Sequence, residues 1–282
     1  MVARESGNHF YFLYFQVMIK YFIPLLLFTL PTLVFSQEEK TNRLNDMGQK
    51  TDYWIVLDQD GNKKYEGFFL EGHPVGTLTR YYPDGVVKAI MDHDSTGVNV
   101  EAKIYDELGK LWAQGQYIKQ LKEGKWNYYG SQGEVLIEIN YKADQINGQA
   151  IRYFVNGKIM EKTNWSDNAM HGIQQIFNEQ GDKTTEIYYR NNQMDGAYLV
   201  FYPGGELAVK GHYHQNLKEG EWIYYFINGK IDYSLTYSEG KPLNSEILDQ
   251  RQKEVFDQYE KNRNLVKDPI MYLKDPESYF RK

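Results

Sequence analysis

The stretch GKWNYYGSQGEV at 124–135 returns 24 residues later as GQAIRYFVNGKI at 148–159, and again as GEWIYYFINGKI at 220–231. Each version opens on a glycine, passes through an aromatic cluster, meets a second glycine nine residues on and ends on an aliphatic residue. Aligning the chain on that second glycine gives Gly61, Gly85, Gly109, Gly133, Gly157, Gly181, Gly205 and Gly229, all 24 apart without insertion or deletion. Glycine makes up about 7% of average sequence, so chance does not fill one column eight times. A fixed period of this length is the mark of a repeat architecture.

Other columns hold the same phase. Nine residues before the anchors stand Asp52, Gly76, Val100, Gly124, Gly148, Gly172, Gly196 and Gly220. Between the glycines runs the column Leu57, Tyr81, Tyr105, Tyr129, Tyr153, Phe177, Phe201 and Tyr225. After the anchors come Lys63, Val87, Leu111, Val135, Ile159, Lys183, Leu207 and Ile231.

Dipeptides such as Asp60-Gly61, Asp84-Gly85, Asn156-Gly157 and Asn228-Gly229 between apolar runs predict antiparallel hairpins. Pro83 and Pro203, two positions before the anchor, suit the second position of a type I turn. The anchor glycine then takes a left-handed conformation in a bulge, which only glycine adopts cheaply. In a three-residue loop of this kind, the aromatic column before the turn faces the aliphatic column after it. A lone hairpin cannot bury its apolar face, so the eight must stack. The expected fold is all-β: an elongated single-layer antiparallel meander of eight 24-residue hairpins, about 75 Å long at ~4.8 Å per strand, with a C-terminal α-helix.

Gly124-Lys125-Trp126-Asn127-Tyr128-Tyr129 with Gly133, and Gly220-Glu221-Trp222-Ile223-Tyr224-Tyr225 with Asn228-Gly229-Lys230, resemble the MORN repeat variant of bacterial proteins labelled YwqK-like antitoxin components. The resemblance runs from about residue 52 to 243. It implies stacked hairpins and a role in protein or membrane association, and it carries no catalytic residues. Asp52, Val100 and His93 depart from the pattern.

The flanks read differently. Residues 1–17 look like an extension from an early start codon, and 18–36 read as a signal peptide. Lys20 precedes the apolar run from Tyr21 to Leu33, with cleavage expected at Ser36-Gln37. Residues 37–51 form a linker and 52–243 the repeats. An exported protein, periplasmic or secreted, is the expectation. After residue 243 the period stops: Asn244 or Ser245 caps a helix carrying Ile247, Leu248, Val255, Phe256 and Tyr259, expected to cover the last sheet edge. The segment 244–282 closes with the tandem Lys267-Asp268-Pro269-Ile270-Met271-Tyr272 and Lys274-Asp275-Pro276-Glu277-Ser278-Tyr279.

Catalytic or metal chemistry finds little footing in the sequence. A net charge of -6 disfavours nucleic acid, and the absence of cysteine excludes disulfides and thiolate sites. Asp58-Gln59-Asp60-Gly61-Asn62 lacks the ligand spacing of a calcium loop and reads as a hairpin turn. Asp94-Ser95-Thr96-Gly97 reads as a connector. His212 and His214 share a strand face without a third ligand, and Glu219 and Glu221 look like solvated charges. No cofactor or metal is called for, and the chain is expected to be non-enzymatic. A glycan hydrolase would need two acids across one cleft.

The aromatic rows remain. The Tyr129 column is expected to fill the buried side. Trp54, Trp126, Tyr198 and Trp222, on the opposite face by strand alternation, form the expected exposed set for a protein partner, with membrane or glycan contact as further options. An immunity or antitoxin-like inhibitor is the second reading of the same scaffold.

Overall fold

The computed structural model describes residues 41–262. It forms one open sheet of 18 antiparallel strands followed by a single helix, Glu246–Asn262. Every strand pairs with its neighbour in sequence, the topology of a meander.

Two kinds of turn alternate. At the anchors, the Gly61 amide donates to the Asp58 carbonyl and the Asp58 amide to the Asn62 carbonyl, the pattern of a type I turn closed by a glycine bulge. All eight anchors have positive φ, between 75° at Gly109 and 98° at Gly181. Register slips by one residue beside each anchor, leaving Tyr129 opposite Val135 and Tyr153 opposite Ile159. The aromatic and aliphatic columns therefore face each other as the turn chemistry requires.

The opposite edge, which the sequence marks only as a connector, also contains tight hairpins. Ala143-Asp144, Asp167-Asn168, Asn191-Asn192 and Gln215-Asn216 place two consecutive residues at φ of 49–50° and 66–67°. These are the dihedrals of a type I′ turn, whose twist matches that of the strands. Asn192 shows what holds one without glycine: its amide donates to the Met170 carbonyl, and its Oδ1 accepts the Met170 amide at 2.7 Å. Asn168 does the same for Ile146, and Asn216 for Met194.

The first glycine of each unit has its own task. Around Gly148 (φ 100°) three residues oppose the single Asn140, a bulge that bends the strand. Asp52 takes a φ of 64°, close to the 65° of Gly76 and Gly124, and pairs with Arg43 at 2.9 Å. Val100, which is β-branched, keeps negative φ, and its strand runs in register with Val87–His93. The slack passes into the preceding loop, where Asp94 accepts the amides of Thr96 and Val98.

Burial lies on one face. Ala102, Ala113, Trp126, Trp222 and Leu235 are each at most 2% exposed, and all occupy positions facing the same side of the sheet. This reverses the expected assignment: the Trp126 column forms the core, while the Tyr129 column lies on the other face, half-buried except for the exposed Leu57.

At the C-terminal end, the two-residue strand Lys241–Pro242 closes the sheet, and proline brings no N–H to an outer ladder. Asn244 turns its side chain back to accept the Thr236 amide at 2.9 Å. The helix reaches the sheet through Arg251, which pairs with Asp232 and lies 5.4 Å from the Tyr233 ring centroid. Val255, Phe256 and Tyr259 are 61–65% exposed, so the helix does not cover the edge with its apolar residues as expected. No helix among the described residues is long and apolar enough to cross a membrane. The expected signal peptide, the early extension and the tandem Lys-Asp-Pro segment lie outside the described residues.

Candidate interaction surfaces

The core face is built from modules with a common recipe. Trp126 lies over Gly115 of the adjacent strand, where even a Cβ would run into the indole. Trp222 lies over Gly211 in the same way. Elsewhere in this row small and large residues also complement one another: Gly67 faces Leu78, Met91 faces Ala102, and Ile139 faces Ala150. The sheet is thus levelled by volume matching between neighbouring strands.

Four residues before each tryptophan of this column stands a lysine. The Lys122 ammonium lies 4.6 Å from the Trp126 ring centroid and 4.9 Å from that of Tyr141, and donates to the Tyr128 hydroxyl at 2.9 Å. Lys218 is 4.2 Å from Trp222 and 4.9 Å from Tyr237. Lys50 is 4.7 Å from Trp54 and donates to Tyr65. Units with another residue at the tryptophan position carry Pro74, Val98, Ile146, Met170 or Met194 in place of the lysine. A cation over an indole gains from the ring quadrupole, and the lysine stem covers apolar surface as well. Neutral phenols complete the cluster. Burial, with the Tyr128 hydrogen bond, pushes the Tyr141 hydroxyl up to about 12, and burial raises Tyr128 as well.

The expected partner-binding residues therefore sit as follows. Trp126 is 0% exposed and Trp222 2%, which corrects the expectation that they are open to a ligand. The cause is the glycine beneath each ring and the lysine above it. Their indole nitrogens are also engaged, donating to the carbonyls of Gln116 at 3.1 Å and His212 at 3.2 Å. Trp54 is half-buried and donates to Arg43 and Thr51 carbonyls, both at 3.0 Å. Tyr198, half-buried, has its ring centroid 5.3 Å from that of Trp222.

The other face mixes ion pairs with open apolar side chains. Lys125 meets Glu138 at 2.9 Å, Lys183 meets Glu186 at 2.8 Å, and Lys63 meets Glu66 at 2.8 Å. Phe68 is 55% exposed and has its ring centroid 4.9 Å from that of Tyr53. Ile173 and Tyr188 are directly opposed across two strands and exposed by 40% and 37%. Tyr188 lies across Gly196, where a Cβ would meet its ring at 2.8 Å. Asp92 stands opposite Glu101 in a hollow shared with Lys103, Gln114, Gln116 and Lys125.

Asp58, Asp94 and His214 take structural places. Asp58 accepts the amides of Asp60 and Asn62, so its carboxylate serves the turn. The Thr96 hydroxyl, with Asn99 and Val98, holds the Asp94 carboxyl down at about 2. His214 contacts Asp195 at 3.2 Å. Among the described residues no group of three or more His, Asp or Glu could hold a metal ion.

Fold and surfaces together define an open-sheet β-hairpin repeat protein. Residues 99–119, 194–215 and 218–239 match the MORN repeat variant, so the chain carries repeats of that kind. No curated protein matches. Among solved structures, the crystal structure of TarM is similar at 10% identity over 33% of this chain and 20% of that one, with a TM-score of 0.26. A mutant of S. aureus TarM in complex with fondaparinux, alpha-GlcNAc-glycerol and UDP is similar at 11% identity over 42% and 20%, with a TM-score of 0.21. The chain thus spans about a fifth of either TarM chain, and neither likeness extends to a shared overall fold.

Proposed function

We propose that this protein is an exported, non-enzymatic scaffold that binds a protein partner on the sheet face opposite the tryptophans. One observation carries this reading: the tryptophan face is occupied by the chain's own lysines, while the other face leaves Phe68, Ile173 and Tyr188 open among charged residues. Exposed aromatics within a polar surround are the composition of protein-binding surfaces. A single-layer sheet keeps such a face accessible along its whole length.

The test is capture of partners by the immobilised full chain, read by mass spectrometry and repeated with Phe68→Glu plus Tyr188→Glu. Both side chains are exposed, so the variant keeps its circular dichroism spectrum and loses the partner. A partner retained by that variant would move binding to another surface. Fractionating cells for the full chain tests export, and recovery in the cytoplasm alone would remove that part of the reading.

A further inference from the structure

One feature of the anchor-turn edge recurs at a fixed offset. The Tyr82 hydroxyl donates to the carbonyl of Tyr105 at 2.9 Å, and the Tyr202 hydroxyl to the carbonyl of Tyr225 at 2.7 Å. In both cases a phenol three residues before one anchor reaches 23 residues forward and closes the gap between two turns. The same offset pairs residue 130 with the Tyr153 carbonyl, and residue 130 is glycine. Gly130 does not have positive φ, so its backbone does not require glycine. The three atoms nearest a Cβ there all belong to the flexible carboxylate end of Glu134. Tyr153, whose carbonyl this offset points to, lines a hollow of about 650 Å³ together with Leu136, Phe154, Val155, Met160, Arg152 and Glu179. Val155 is 74% exposed there.

We infer that this hollow is a docking slot for an aromatic side chain, and that its occupant is the chain's own segment 263–282, presenting Tyr279-Phe280. The repeat itself specifies the ligand, because a phenol fills the equivalent place in two other units. Charge points to the same segment. The surround of the slot carries Glu134 and Glu179 beside two ion pairs, Glu138 with Lys125 at 2.9 Å and Glu161 with Arg152 at 3.4 Å, which leaves it with an acidic excess. The segment holds Arg263, Lys267, Lys274, Arg281 and Lys282 against Asp268, Asp275 and Glu277, a cationic excess in an otherwise acidic chain. Reach is sufficient. The slot lies about seven strand spacings, ~34 Å, from the last strand. Arg251 holds the helix to the sheet, leaving roughly 17 Å of helix beyond it. The residues from Asn262 to Tyr279 span up to about 56 Å when extended.

The experiment places the photoreactive analogue p-benzoylphenylalanine at Phe280 of the full chain, irradiates it at high dilution and maps the products by mass spectrometry. The expected result is an intramolecular crosslink to peptides containing Leu136, Val155 or Met160. It should fall at least several-fold in Val155→Glu, whose exposed position leaves folding intact, and in Gly130→Tyr, which fills the slot with its own phenol. Crosslinks that join two copies, land elsewhere on the sheet, or persist unchanged in both variants would overturn the assignment. Loss of partner capture by Phe68→Glu plus Tyr188→Glu is independent of this outcome, so the two proposals fail separately.

Discussion

The indole of Trp126 is the most enclosed large side chain described, bounded by Gly115 below, Lys122 above and the rings of Tyr117 and Tyr141 at its edges. Truncating it opens a cavity that backbone on a single-layer sheet cannot collapse into. Trp126→Ala should cost about 3–5 kcal/mol, read as a lowered urea midpoint. Lys122→Met keeps the stem and removes the charge, and should cost about 1 kcal/mol. In the double variant the charge effect should vanish, since its ring is gone. The phenols add a pH dependence with a definite sign. The Tyr141 hydroxyl is held near 12, above its unfolded value, so the folded state keeps its proton longer. That contribution is complete below about pH 10 and fades as pH rises toward 12. Urea midpoints measured across this range should fall, and Tyr141→Phe should flatten part of the decline.

At the scale of the element, two turn chemistries alternate and fail differently. Gly133 sits at φ 85° with nothing near its missing Cβ, so Gly133→Ala suffers from backbone conformation alone, about 1–2 kcal/mol. At the other edge Asn192→Ala loses the Oδ1 bond to the Met170 amide, about 1 kcal/mol, and amide exchange at Met170 should rise with it. The Asp94 loop senses acid. Its carboxyl is held near 2, below the unfolded value, so loop order present at pH 5 should be lost as pH falls from about 4 toward 2, as nuclear magnetic resonance shifts of Thr96 and Val98 would report.

These elements also show what could be read from sequence. The anchor turns were legible because one backbone conformation demands one residue type, and eight glycines stand in a single column. The type I′ turns were not, because Ala143, Asp144, Gln215 and the asparagines occupy left-handed positions without a constant residue. The choice of face failed for another reason. Alternation separates two faces, but both carry aromatics, and nothing in the Tyr129 or Trp126 columns alone says which is enclosed. The deciding signal lay in other columns: glycine beneath the indole and lysine four residues before it. The slot lined by Tyr153 was invisible until the Tyr82 and Tyr202 bonds gave its register.

For the whole molecule, each strand touches its sequence neighbours and little else, so stability is a sum over adjacent units. Removing residues 145–168, one full period from one type I′ turn to the next, joins Asp144 to Ala169 in the same phase. The shortened chain should stay folded, with its urea m-value reduced by about an eighth. A deletion of 23 residues in the same place should instead aggregate, as size-exclusion chromatography would show. The reason is that each side chain downstream would change sides.

The match of Gly115 to Trp126 and Gly211 to Trp222 makes the chain tolerant in one dimension and strict in another. It can be lengthened or shortened by whole planks, as gene duplication would do, without redesigning any joint. Slipping by a single notch would drive indoles into water and strand ion pairs in grease. Its size is negotiable, while its parity is not.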